Sequence, residues 1–138
     1  MSQTPRQVVE RVLQAGLAQD YETVIDLMAP DGHIEWPYRP AGVPARLEGR
    51  DRIRRYLSAA AKAPIVFDEF TDMVIYETDD PEVVIAEYEA HGRVTTTGAP
   101  YRQSIIAVFR VADGHIRSYR DYLNPLALLE ARAALPDA

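Results

Sequence analysis

Residues 101–122, YRQSIIAVFRVADGHIRSYRDY, decide the fold. Apolar and polar side chains alternate on both sides of Asp113 and Gly114, which is typical of two β-strands joined by a tight hairpin turn. The same period of two appears in the two segments upstream, after Pro64. The sequence therefore predicts four consecutive strands, at 65–76, 82–94, 101–111 and 115–122.

The residues before Pro64 follow a helical period instead. Thr4 and Pro5 form a cap and first-turn signal, so we expect a first helix that ends near Asp20. Further apolar residues at helical spacing predict a second helix over 21–28 and a third that runs through Lys62. Helices followed by antiparallel strands indicate an α+β domain in which a curved sheet wraps the amino-terminal helices.

Proline and glycine mark the expected interruptions. Pro30-Asp31-Gly32 is predicted to stop the second helix, and 33–36 to form one short strand. The segment 38–49 is expected to form a rim loop without helix or strand. Asn124 and Pro125 predict the start of a final helix. With no repeat or linker, residues 1–138 are expected to form a single domain.

Composition limits the partners. The 138 residues include 15 Lys and Arg against 21 Asp and Glu, so the net charge is −6 and neither nucleic acid nor a membrane is an expected partner. The chain has no cysteine and no apolar leader at its amino terminus, from which we expect a cytoplasmic protein. No glycine-rich phosphate loop and no Cys/His ligand spacing occurs, so we expect no cofactor and no metal.

Alternation sorts the strands into an inner and an outer face. The set that includes Ala86 and Tyr88 is free of charge, and so is the set that includes Ala107 and Phe109, so both should face the helices. The opposite face mixes aliphatic and charged residues, which suits contact with a second copy of the chain. His33 and His91 fall on that outer face.

Asp121 is the main candidate for chemistry. It shares a strand face with Tyr119 and Leu123, so an inward Tyr119 brings the carboxyl inside as well. An apolar cleft disfavours the ionised form of a carboxyl, which makes it a proton donor or acceptor near neutral pH. Alternatively, Asp121 pairs with an arginine or caps the helix that starts near Asn124.

Five inward residues are candidates to bind a substrate. Four are aromatic side chains and one is a small residue on the same face: Trp36, Tyr88, Phe109, Tyr119 and Ala107. Aromatic residues at inward positions also form ordinary hydrophobic core, so both roles are open for each of them.

Several short motifs, in their order and spacing, carry a resemblance to a known family. They occur at 47–50, 78–81, 87–92, 98–101, 113–116 and 120–124. With them the chain resembles the SnoaL-like superfamily, also called nuclear-transport-factor-2-like or ketosteroid-isomerase-like. It is most similar to the phenazine-biosynthesis A/B family. The resemblance covers nearly the whole chain and implies a conical α+β barrel that encloses one small-molecule pocket, usually in a homodimer.

The resemblance also implies where chemistry occurs. The acid of the phenazine A/B proteins, a glutamate, falls on Asp121, while their histidine and serine fall on Tyr56 and Ala60. Tyr56 could donate a hydrogen bond to a substrate oxygen, or it could be a core aromatic residue. The proton-transferring positions of steroid isomerases fall on Trp36, Val12 and Ala107, none of which transfers a proton.

We therefore predict a small, cofactor-independent enzyme of specialised metabolism. In it, Asp121 performs acid/base catalysis and Tyr56 polarises an oxygen during isomerisation, cyclisation or condensation of a cyclic or polyketide-like carbonyl compound. The alternative is a non-catalytic binding or accessory protein that holds a hydrophobic metabolite in the same pocket. A third possibility, a structural dimerisation module, predicts a pocket filled by the chain's own aromatic side chains.

Overall fold

A computed structural model describes residues 3–135 as four helices and six strands. The outermost residues of the predicted domain, 1–2 and 136–138, lie outside the described residues. Within residues 3–135, no helix is long and apolar enough to cross a membrane. In chain order the elements are α1 Pro5–Leu17, α2 Tyr21–Leu27, β1 Met28–Glu35, β2 Arg46–Glu48, α3 Arg50–Ala60, β3 Ile65–Glu77, β4 Val83–Val94, β5 Pro100–Ala112, β6 His115–Tyr122 and α4 Pro125–Ala133.

The six strands form one curved sheet in the order β2-β1-β6-β5-β4-β3. Neighbouring strands are antiparallel except β1 and β6, which run parallel. Strands β2 and β3 are the two edges, so the sheet stays open rather than closing into a full barrel. Helix α1 packs against β3, β4 and β5, and α3 packs against β1. The predicted α+β architecture, with the sheet wrapped around the amino-terminal helices, is confirmed.

The predicted inner face of the sheet is confirmed. Ala86 and Tyr88 of β4 are buried, and so are Ala107 and Phe109 of β5. They pack against the apolar face of α1, which is held at its start by a capping box between Thr4 and Gln7. Burial of this one continuous apolar cluster is the main favourable term for folding.

The region around Pro30 differs from the prediction. The second helix ends at Leu27, and residues 30–32 lie within strand β1 rather than in a turn. The β1–β6 register is interrupted between Met28 and His33, which accommodates the proline. Gly32 is needed there because a Cβ atom would lie 2.6 Å from the carbonyl oxygen of Ile116. The strand therefore depends on its partner, which local sequence patterns do not reveal.

The rim loop also contains an element that the sequence did not predict. Arg46–Glu48 forms the short strand β2, which pairs with the end of β1. The Arg46 guanidinium lies 3.2 Å from a carboxylate oxygen of Glu35 and so joins the two strands on the outer face. This strand arises from tertiary pairing and not from local propensity. Helices α1 and α3 end at Leu17 and Ala60, slightly before the predicted positions.

Gln103 is a buried polar residue that alternation alone would assign to an apolar position. Only 2 % of its surface is exposed. Its side-chain oxygen accepts the backbone N–H of Asn124 at 2.7 Å, and its amide donates to the Asn124 carbonyl at 2.9 Å and to the Tyr101 hydroxyl at 2.6 Å. The two bonds to Asn124 fix strand β5 to the segment between β6 and α4, and the third joins two residues of β5.

Replacing Gln103 by alanine should therefore destabilise the fold. Because the change leaves backbone and phenol groups without their partner, we expect the free energy of unfolding to fall by about 1–3 kcal/mol. Urea unfolding followed by circular dichroism measures this loss. Thr96→Ala is the control, since Thr96 is exposed in the turn before β5 and the substitution should change stability by no more than ~0.5 kcal/mol. Equal stability of the two variants would contradict the role given to Gln103.

Candidate functional site

A cavity of about 140 Å³ lies between the helices and the concave face of the sheet. A purely structural dimerisation module predicts a pocket filled by the protein's own aromatic side chains. This cavity is not filled by them. Its walls are mostly apolar, with Asp121 as the one ionisable carboxyl among them. The lining residues are Val12, Leu13, Gly16, Tyr21, Val24, Ile34, Trp36, Leu57, Phe70, Tyr88, Tyr119 and Asp121.

Strand pairing brings the predicted site residues together. In the parallel pair β1–β6, Ile34 lies opposite Tyr119 and Glu35 opposite Arg120, so Trp36 reaches the level of Asp121. Alternation along β6 then turns both Tyr119 and Asp121 toward the cavity. Four of the predicted residues, Trp36, Tyr88, Tyr119 and Asp121, line it together.

The Asp121 carboxyl is desolvated and only partly satisfied. The residue as a whole is half-buried, but its Oδ1 atom is shielded from solvent and has no hydrogen-bond partner among the described residues. Burial raises the pKa of Asp121 to about 6, and the indole N–H of Trp36 offsets part of that effect as a donor. Because Oδ1 has no partner, the indole N–H can donate only to the Oδ2 atom of Asp121. The carboxyl can therefore gain and lose a proton near neutral pH.

The structure does not support the alternative roles for Asp121. No arginine within residues 3–135 forms an ion pair with its carboxylate, although ten arginine–carboxylate pairs occur elsewhere in that range. Helix α4 is capped by Asn124, whose side-chain oxygen accepts the Leu126 N–H at 3.0 Å. A buried carboxyl that neither pairs nor caps is unusual in a structural core, where such groups normally find partners.

Two tyrosines surround the carboxyl as neutral donors. Burial raises the pKa of the Tyr119 phenol, and the nearby Asp121 charge raises it further. Burial likewise raises the pKa of Tyr88, with smaller contributions from Tyr119 and Asp121. Both phenols therefore stay protonated across the physiological range and can donate a hydrogen bond. Such donors can stabilise negative charge that forms on a ligand oxygen.

The other three predicted site residues lie behind or beside the cavity wall. Tyr56 packs on Trp36, with ring centroids 5.1 Å apart, and contributes no lining atom. Ala107 and Phe109 are fully buried in β5, where the Phe109 ring supports Tyr119 at 4.3 Å. Contact of these three residues with a substrate stays a prediction.

Sequence reasoning missed several lining residues from the helices and the edge strand. Val12, Leu13 and Gly16 come from the face of α1 that also forms the core, and nothing in the helical pattern separates cavity from core. Phe70 of β3 packs on Tyr88 with ring centroids 4.7 Å apart. Phe70 faces inward because the register of β3 shifts between Phe67 and Glu69, which the alternation pattern does not show.

The histidines lie away from the cavity, as predicted. His33 lies beside Glu35 on the outer face, with 3.0 Å between its Nε2 atom and the carboxylate. The Nε2 atom of His91 lies 2.8 Å from the Thr71 hydroxyl across the β3–β4 pair. Across residues 3–135, no three His, Asp or Glu side chains are grouped so as to hold a metal ion.

Trp36 offers a direct measurement of the Asp121 pKa because it is the only tryptophan of the chain. Ionisation of the adjacent carboxyl changes the field at the indole, so Trp36 emission should titrate with a midpoint near pH 6. Fluorescence between pH 4 and pH 9 measures it. We expect Asp121→Asn to abolish the transition. A transition that persists in this variant belongs to a histidine, whose ordinary pKa is about 6.5, and contradicts the assignment.

Comparisons with known proteins agree with this architecture. A profile of the SnoaL-like domain matches residues 9–119. The uncharacterised PhzA/B-like protein PA3332 of Pseudomonas aeruginosa is 40% identical over 121 residues, which are 88% of this chain and 82% of that protein. A Bacillus subtilis protein named provisionally as an isomerase has a crystal structure with a TM-score of 0.85 and 36% identity, covering 94% of this chain and 92% of that one.

A more distant structure carries a ligand. Rv0760c of Mycobacterium tuberculosis, crystallised with estradiol-17β-hemisuccinate, has a TM-score of 0.73 at 20% identity and covers 88% of this chain and 95% of its own. That likeness concerns the fold alone. The family profile extends over most of the chain, and the Pseudomonas relative resembles the same phenazine A/B proteins as the sequence motifs. The chain belongs to the SnoaL-like domain family.

Proposed function

We propose that this protein is an enzyme of specialised metabolism that performs cofactor-independent acid/base chemistry on a cyclic or polyketide-like carbonyl compound. The reaction is an isomerisation, a cyclisation or a condensation. The observation that carries this proposal is the Asp121 carboxyl, whose Oδ1 is buried in an apolar cavity without a partner. An unpartnered buried carboxyl costs stability, so its presence there favours a functional role.

Asp121 has suitable basicity for proton transfer at carbon. With a pKa of about 6, it is largely ionised at neutral pH yet more basic than an ordinary carboxylate. It would remove a proton from the carbon next to a carbonyl. The electron pair of that C–H bond would form the C=C bond of an enolate, while the π pair of the carbonyl moves to its oxygen. The protonated Asp121 would then return the proton to carbon. In an isomerisation, this step places the proton on a different carbon.

The developing negative charge on oxygen needs hydrogen-bond donors. Tyr88 and Tyr119 line the cavity with protonated phenols and can supply them. Tyr56 contributes no atom to the cavity lining, so it would act on the same oxygen only after a movement into the cavity. In its observed position it holds the indole beside Asp121. The Bacillus subtilis relative named provisionally as an isomerase supports a reaction of this type.

A binding or accessory protein without chemistry is the second candidate. It is favoured by the mostly apolar lining and by the position of Tyr56 outside the cavity. At the positions that the phenazine A/B resemblance gives to a histidine and a serine, this chain has Tyr56 and Ala60. The structure of Rv0760c in complex with a steroid derivative shows that a protein of this fold can be crystallised with a hydrophobic ligand.

The decisive experiment compares Asp121→Asn with a carboxylate control. A suitable probe is 3-cyclohexenone, a single ring whose conversion to the conjugated 2-cyclohexenone is followed by ultraviolet absorbance. We expect Asp121→Asn to lower kcat by about 10²-fold or more, while KM changes little, because the amide keeps the shape and loses the proton transfer. The wild-type kcat should fall below pH 6 as Asp121 becomes protonated.

Glu35→Gln is the matched control for this experiment. Glu35 also lies near the β1–β6 pair, but it faces the opposite side of the sheet, in contact with His33 and Arg46. The kcat of the Glu35→Gln variant should equal the wild-type value. Equal turnover in the Asp121 and Glu35 variants would reject the acid/base role. Binding of the ketone without conversion by the wild type would favour the second candidate.

We also propose that the protein is a homodimer that pairs through the outer face of the sheet. Ile106, Val74 and Tyr76 are apolar or aromatic residues that lie more than 40 % exposed on that face. They stand among charged side chains, as in the core and rim of an interface. The predicted cytoplasmic location is part of the same proposal and rests on the sequence.

The dimer proposal predicts a clear effect of charge on the outer face. Ile106→Arg should convert the protein from dimer to monomer, because two buried guanidinium groups would meet near the interface without partners. Sedimentation velocity measures the change. Leu126→Arg is the control, since Leu126 lies on α4 and is 66% exposed. A monomeric wild type would contradict the proposal.

A further inference from the structure

The size of the cavity limits what it can enclose. An apolar cavity of about 150 Å³ in another protein holds one benzene ring, and this one measures about 140 Å³. A ring with its carbonyl oxygen therefore fits beside Asp121, whereas any long substituent has to leave the cavity. The question is which surface receives that substituent.

A second depression lies beside the cavity, between helix α1 and strand β3. It measures about 360 Å³, and its walls are formed mainly by Leu13, Leu17, Phe70, Met73 and Ile75. Met73 is 39% exposed and adds an accessible apolar side chain to these walls. We refer to this depression as the α1–β3 groove.

A β-bulge creates the groove. Thr71 pairs with Glu89 and Val74 with Glu87, so three steps along β3 match two steps along β4. Asp72 within this bulge has a positive φ of 55°. The additional residue restores the alternation so that Phe70 and Ile75, opposite Ala90 and Ala86, both face α1. Without the bulge, Ile75 would lie on the outer face of the sheet and Val74 would face α1 instead.

The cavity and the groove meet at shared side chains. Leu13 and Phe70 line both, so only one layer of side chains separates the two spaces. Gly16 stands next to this layer on α1, where it is exposed and lines the cavity. A Cβ atom at Gly16 would meet nothing within 4 Å, so the cavity is open beside this end of α1.

We infer that the α1–β3 groove binds an aliphatic chain on the substrate, whose ring and carbonyl oxygen occupy the cavity beside Asp121. This inference rests on the proposed function and names its substrate class, a monocyclic carbonyl compound with a linear alkyl substituent. Among the described residues, those that line the groove include Glu10 but no cation, so the groove suits a neutral chain better than one that ends in a carboxylate.

A homologous series of ligands tests the inference. The probes are cyclohexanone and 4-n-alkylcyclohexanones with chains from methyl to hexyl, and calorimetry measures their Kd. Each methylene that enters the groove should tighten binding about fourfold, which corresponds to ~0.8 kcal/mol per buried CH₂. A Kd that does not depend on chain length, with cyclohexanone still bound, overturns this inference but leaves the proposed function standing. Failure of cyclohexanone itself to bind, and of 3-cyclohexenone to react, overturns the proposed function.

Groove variants identify where the chain lies. Met73→Ser changes a partly exposed residue that is absent from the cavity lining, and Ile75→Ser changes a second one. Both should reduce the gain per methylene while the Kd of unsubstituted cyclohexanone stays unchanged. Leu126→Ser, an exposed apolar residue on α4, is the control and should preserve the wild-type series.

Two results would place the alkyl chain of the ligand outside the groove. An unchanged series in both Met73→Ser and Ile75→Ser means that the alkyl group leaves the cavity by another route, and it overturns the inference. The same unchanged series together with a loss of dimer in sedimentation means that a second copy of the chain covers the groove, and it overturns both this inference and the dimer through the outer face. Circular dichroism of each variant confirms that it is folded before its series is measured.

Discussion

The candidate site depends on one unfavourable arrangement, a carboxyl group kept in an apolar cavity without a partner for its Oδ1 atom. Burial raises the pKa of Asp121 to about 6, above the ordinary value of 3.8, so the folded state binds this proton more tightly than the unfolded chain does. That contribution to stability is fully present below about pH 3.8 and is lost as the pH rises through about 6. At neutral pH the fold carries the cost of an ionised, desolvated group. The continuous apolar cluster that joins α1 to β4 and β5 offsets this cost, which ties the chemistry to the packing of the helices on the sheet.

The parallel pairing of β1 with β6 determines how that carboxyl is used. It is the one parallel pair in an otherwise antiparallel sheet, and it places Trp36 beside Asp121. The indole N–H moderates the pKa without pairing fully with the carboxyl, so the group stays reactive near neutral pH. Tyr56 packs on the indole in a tilted arrangement and helps to hold it in place. A residue that lies outside the cavity can thereby affect the reaction through Trp36, which gives Tyr56 a positioning role in the observed conformation.

The sequence was sufficient for the parts of the fold that follow regular alternation. The hairpin around Asp113 and Gly114, the inner faces of β4 and β5, and the inward position of Asp121 are all predicted because the side-chain period of a strand is two. Prediction failed where pairing with a distant strand overrides the local pattern. Gly32 and its neighbours join β1, Arg46–Glu48 forms β2 and the bulge at Asp72 changes which residues of β3 face α1. The cavity lining contributed by α1 was also missed, because a helix face against a cavity has the same pattern as a helix face against core.

Those failures occur at places that shape the site. An uninterrupted β3 would turn its later residues away from α1, and the space beside Phe70 would lose the walls formed by Met73 and Ile75. Gly16 lines the cavity near the carboxyl end of α1, where a Cβ atom would meet nothing within 4 Å, so an alanine there would fit without a clash. The shared walls Leu13 and Phe70 place the cavity and the groove side by side. The bulge gives the groove its walls and Asp121 borders the cavity, so a ligand that uses both spaces would have its reacting atoms beside Asp121 and its chain along α1.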